Sequence, residues 1–112
     1  TFWVDLPLVA SSSAQAIAYA TIPGWPATYA RVISAGVDVI TAEATGTTKN
    51  VSFGYAGATT AFVNAQSAAA IGVIPGAGAT ANLATTALSY TLSANNWAEA
   101  VMKAWITVEC IG

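Results

Sequence analysis

A chain of 112 residues that is 55% hydrophobic and 7% charged, with a net charge of −2, is long enough to bury one core. Its three basic residues, Arg31, Lys49 and Lys103, are far apart, which excludes the clustered Lys and Arg that a phosphate backbone requires. No apolar run reaches the ~18 residues of a membrane helix, because Thr, Ser, Gly and Asn punctuate each one, so neither nucleic acid nor membrane is an expected partner.

Residues 1–112 are expected to form a single domain. A typical domain carries ~25% charged residues, whereas this chain has only Asp5, Arg31, Asp38, Glu43, Lys49, Glu99, Lys103 and Glu109. So little charge permits association, and much of the surface is expected to meet other protein. No basic leader with a long apolar stretch opens the chain, so no secretory signal is expected. Thr1 is what remains when an initiator methionine is trimmed, which suggests a whole protein made in the cytoplasm.

Read with a period of two, the sequence divides at turn-forming clusters into about eight short extended segments, as in an all-β sandwich or barrel. In "FWVDLPLVA", Phe2, Val4, Leu6 and Leu8 share a face and Pro7 confines the segment to a sheet edge, so residues 1–9 are expected as an edge strand or an exchanged arm. "QAIAYATI" follows and closes at "PGWPA", with Trp25 at the loop tip. "TYARVISAGVDVITA" exceeds one ideal strand and is expected to bend or bulge near Gly36, with Val37, Val39 and Thr41 on one face beyond it. "EATGTTKN" reads as a solvated loop carrying Glu43 and Lys49. It leads into "VSFGYAG", where Val51, Phe53 and Tyr55 line one side, and then into the alanine-rich "TTAFVNA" and "AAIGVI".

The stretch "IGVIPGAGATAN" has the glycine content of a phosphate cradle, but the helix that would bind the anion does not follow it, and neither does a lysine or acidic partner. It is expected as a flexible turn between strands. In "ATTALSYTLSA", Leu88, Tyr90 and Leu92 point inward and Ser89, Thr91 and Ser93 outward. The final "NNWAEAVMKAWITVECIG" begins like a capped helix at Asn96–Ala100, yet alternates from Met102 to Ile111 with β-branched residues at its end, and is expected to be a strand. Cys110 in that alternation is expected as a small buried hydrophobe.

Catalysis needs tunable acids, bases, nucleophiles or metals, and this chain has no His, one Cys and five dispersed carboxylates. No catalytic residue, cofactor-binding residue or metal ligand is expected, so the chain is not expected to be an enzyme. The aromatics carry the functional signal instead, because Trp and Tyr bury large areas at low entropic cost in protein interfaces. Phe2, Trp3, Val4, Trp25, Tyr29, Arg31, Trp97 and Trp105 are the interface candidates. Trp105 is expected on the outer face of its strand between Lys103 and Thr107, and Trp25 is expected to be the tryptophan least engaged with the core.

The stretch "ATIPGWPATYARVISAGVDVITAEATGTTKNVSFGYAGATTAFVNA", followed by a Gly/Thr-rich turn, "LSYTLSANNWAEAV" and a terminal "AWITVECIG", resembles the small β-sandwich structural proteins of tailed-phage virions over roughly residues 16 to 112. Two departures are Cys110, where an aromatic is common, and the insertion-like "NNWAEAVMK". The resemblance implies a jelly-roll-like antiparallel β-sandwich, serving as a capsid decoration (cement) protein on the virion surface after synthesis in the host cytoplasm. It also implies two partners: the major capsid protein, and copies of the chain itself as a homotrimer. The alternative is a head or tail fibre domain whose Trp25 loop docks a host-surface receptor or glycan.

Overall fold

The computed structural model describes residues 2–8, 13–26, 28–43, 49–68, 70–79, 81–92, 97 and 99–109. Within them lie eight strands: β1 (Phe2–Asp5), β2 (Gln15–Ile17), β3 (Arg31–Thr41), β4 (Asn50–Tyr55), β5 (Ala58–Ser67), β6 (Gly72–Pro75), β7 (Leu88–Leu92) and β8 (Val101–Glu109), with one short 3-10 turn at Tyr19–Thr21. They form two four-stranded sheets, β1-β8-β3-β6 and β2-β7-β4-β5, and all pairings are antiparallel. The strands pair first with last, second with seventh, third with sixth and fourth with fifth, as in a long hairpin rolled across two sheets. The fold is therefore a jelly-roll-like β-sandwich, and the all-β expectation holds.

Alternation along each strand builds the core, because successive side chains point to opposite faces. Val32, Ala35, Val37 and Val39 of β3 and Met102, Ala104 and Ile106 of β8 turn inward from the first sheet. Val51 and Phe53 of β4, Phe62 and Val63 of β5, and Leu88, Tyr90 and Leu92 of β7 meet them from the second. Phe53 and Phe62 pack with ring centroids 5.3 Å apart and planes tilted by 55°. Phe2 and Val4 lean on this core and Leu6 is buried in it, as the shared face of the first segment predicts. β1 lies at the edge of its sheet, where Pro7 leaves it.

Several expectations are corrected. β3 does not bulge at Gly36: its register shifts between Val32 and Ser34 and again between Val39 and Thr41. Ala35, Val37 and Val39 therefore face the core in unbroken alternation, while Thr41, past the second shift, is exposed. The loop reading of "EATGTTKN" fails at both ends, since Glu43 is 2% and Lys49 5% exposed; residues 44–48 lie outside the described residues. The glycine-rich stretch after β6 is a packed connector rather than a flexible turn. The Ala77 N–H donates to the Phe62 carbonyl on one sheet at 2.9 Å, and the Ala79 N–H donates to the Val32 carbonyl on the other at 2.8 Å. A Cβ at Gly76 would stand 2.6 Å from the carbonyl oxygens of both Ala35 and Phe62, so the seam admits only glycine there. β8 forms as expected from Val101; Cys110 and, in the cap-like stretch Asn96–Ala100, residues 96 and 98 lie outside the described residues, while Trp97, Glu99 and Ala100 are not helical.

Candidate functional site

The outer faces of the two sheets differ in kind. Ser52, Gly54, Ser89 and Thr91 occupy the outward positions of β4 and β7, small residues between inward-facing aromatics and leucines. On the first sheet the outward positions carry Trp3, Trp105, Val73, Val101 and, at the second register shift of β3, Ile40. Trp3, Ile33, Ile40, Val73 and Val101 are exposed apolar side chains of this one sheet. A concentration of large apolar groups on one face is the usual mark of a surface that another molecule covers.

Trp3 and Trp105 form the centre of this face. Directly opposed across β1 and β8, their rings stand 6.1 Å apart at 47°, within the range of favourable aromatic contact. Trp105 is half-buried because it lies over Gly36, its partner on β3. A Cβ at that position would fall 2.2 Å from the indole and 2.5 Å from the Ile74 carbonyl oxygen. Gly36 is thus the bed on which the Trp105 ring rests. Trp3 has no such bed and remains 56% exposed.

Charge frames the aromatic pair. One step along the strands, Asp5, Lys103 and Asp38 align on β1, β8 and β3, and the Lys103 ammonium lies 3.5 Å from Asp5. Near the other end of β8, Arg31 donates to Glu109 at 3.0 Å. Five of the chain's eight charged residues therefore sit on a single face. Arg31 also borders a wide groove of about 660 Å³, lined with it by Val32, Ile33, Tyr55, Ala61, Gly78 and Ala79.

The eight sequence candidates divide accordingly. Trp3 and Trp105 come together on the outer face, with Trp105 between Lys103 and Thr107 as expected. Phe2 and Val4, on the opposite face of the same strand, pack against the core. Trp25, expected to be least engaged with the core, is instead half-buried: its ring lies 5.2 Å from Phe2 and its indole N–H donates to the Leu83 carbonyl at 3.2 Å. Tyr29 is half-buried beside it in sequence. Trp97 is 8% exposed and belongs to the core, with Lys49 held over its ring at 5.9 Å. Arg31 was among the candidates, but sequence reasoning missed Val73, Val101, Ile40 and the other framing charges, Asp5, Asp38, Lys103 and Glu109, because their shared face depends on which strands become neighbours.

The second polar feature is internal. The Glu43 carboxylate accepts hydrogen bonds from the Glu99 N–H at 2.9 Å and the Ala100 N–H at 3.0 Å, tying the approach to β8 onto the end of β3. Among the described residues, no group of three His, Cys, Asp or Glu lies together in a way that would hold a metal. No helix among them is long and apolar enough to cross a membrane.

The sequence matches no protein-family model and no curated protein. A solved structure described as "Cyanophage Pam1 capsid asymmetric unit" contains a chain of similar fold, with a TM-score of 0.66 and 16% sequence identity over 98% of this chain and 81% of that one. At that identity the similarity establishes the shared fold.

Proposed function

We propose that this chain is a non-enzymatic structural protein of a virus particle, a decoration (cement) protein that seats on the assembled head of a tailed phage and on its own copies. The observation that carries the reading is the asymmetry of the sandwich: among the described residues, five of the seven exposed large apolar side chains, Trp3, Ile33, Ile40, Val73 and Val101, belong to the sheet that carries the Trp3–Trp105 pair. The fold shared with a chain of a cyanophage capsid unit supports the same reading. Its partners are the major capsid protein and further copies of the chain, and its place is the capsid surface after synthesis in the host cytoplasm. Each contact need only be modest, because a symmetric shell lets one protein engage several sites at once and converts weak interfaces into avid ones. The edge strand β1 adds a second means of attachment, since its unpaired side offers backbone groups to a neighbouring strand. The receptor-binding alternative loses its anchor, because the Trp25 indole is engaged with Phe2 and Leu83.

Co-sedimentation with shells assembled from the major capsid protein of the same virus tests this. The chain is expected to pellet with shells in a saturable manner and to raise their resistance to heat. A chain that stays in the supernatant at micromolar concentration contradicts the proposal.

A further inference from the structure

We infer that the outer face of the β1-β8-β3-β6 sheet binds the same face of a second copy, through a two-fold axis that runs parallel to the strands between β8 and β3. The inference rests on the proposed self-association and names its surface and symmetry, a pair in place of the trimer that the resemblance implies.

An isologous contact requires each residue to face a complementary one when the surface is turned onto itself. The axis between β8 and β3 is the centre of the sheet, so turning the sheet about it lays β8 on the partner's β3 and β1 on the partner's β6, and covers all four strands. Lys103 and Asp38 are opposite each other across this axis, and so are Arg31 and Glu109. The rotation therefore sets Lys103 against Asp38 of the second copy and Arg31 against Glu109 of the second copy, each twice. Every charge on the two central strands' outer face meets its opposite. In a chain with three basic residues, two of them are used in this pattern.

The apolar groups fall into place under the same rotation. Trp3 is opposite Trp105, which is opposite Gly36, which is opposite Pro75. Turned over, the exposed Trp3 indole reaches the exposed Pro75 of the second copy. The two Trp105 rings, each lying over Gly36 and so leaning toward the axis, meet at the centre. Tryptophans in the middle with ion pairs on either side give the arrangement in which aromatic anchors are desolvated and charges set the register.

The test uses the purified full chain without shells. Light scattering after size-exclusion chromatography is expected to show a dimer. Lys103→Asp and Asp38→Lys are each expected to weaken it at least tenfold, because each variant faces like charges twice across the axis. An equimolar mixture of the two variants is expected to recover the dimer, since both cross-chain contacts then join opposite charges. Trp3→Ala, an exposed position whose loss leaves the core intact, is expected to weaken association roughly thirtyfold. Circular dichroism of each variant confirms that the sandwich persists. A wild-type chain that is monomeric at tens of micromolar, a trimer indifferent to these substitutions, or a mixture that stays monomeric overturns the inference. Shell binding is measured separately, so a monomer that still pellets with shells refutes the two-fold pair and leaves the decoration role standing.

Discussion

Tyr90 shows how one side chain links the two sheets. It sits on β7 with its ring in the core, and its hydroxyl donates to the Pro7 carbonyl at 2.8 Å, just beyond β1 of the other sheet. Burial pushes the hydroxyl above its ordinary pKa of 10.0, because the anion would lose its hydration. Below pH 10 the folded and unfolded chains both keep the proton, and the hydrogen bond contributes its full stability. Above pH 10 the unfolded chain releases the proton first, so stability falls as pH rises toward the higher folded value. Tyr90→Phe is expected to cost about 1 kcal/mol at neutral pH through the lost hydrogen bond. Its denaturant midpoint should then decline less than that of the wild type between pH 8 and pH 10.5. Parallel declines of the two proteins would show that Tyr90 does not carry the alkaline transition.

At the scale of elements, the long strands were legible in the sequence and their junctions were not. β7 and β8 could be read from Leu88, Tyr90 and Leu92 and from Met102 to Val108, because a half-buried strand imposes a period of two on its residues. The bulges of β3 could not be placed, since Gly36 marks a bend in local terms and only its neighbour Trp105 explains it as a bed for an indole. The inward turn of Glu43 and Lys49 was equally hidden: charged residues in a Gly/Thr-rich stretch signal a loop, whereas the backbone donors that make the burial of Glu43 tolerable lie more than 50 positions away at Glu99 and Ala100, and Lys49 lies over the ring of the distant Trp97. That carboxylate clasps the entry to β8. Glu43→Ala would leave two backbone donors without their acceptor and is expected to cost about 2–4 kcal/mol, with faster amide exchange at Ala100. Glu43→Gln keeps an acceptor in place and is expected to cost less. Equal stability of the wild type and Glu43→Ala would remove the clasp from the account.

For the whole molecule, the scarcity of charge pointed to a covered surface, and the proposal assigns it to the outer face of the β1-β8-β3-β6 sheet. Composition alone does not distinguish one sheet from the other. The assignment comes from topology, which brings β1, from the start of the chain, beside β8, from its end, and so unites Trp3 with Trp105 and Asp5 with Lys103. The sequence offered Trp97 as an interface candidate alongside these two, and only packing sends it inward. The account's central claim is that this one face is where other protein binds. Hydroxyl-radical footprinting of the chain, dilute and alone and then bound to shells, measures this most directly. Trp3, Val73 and Val101 are expected to lose most of their reactivity in the assembled state, while Tyr19, exposed in the turn that follows β2 of the other sheet, keeps its own. Unchanged reactivity at Trp3 alongside protection at Tyr19 would contradict the account.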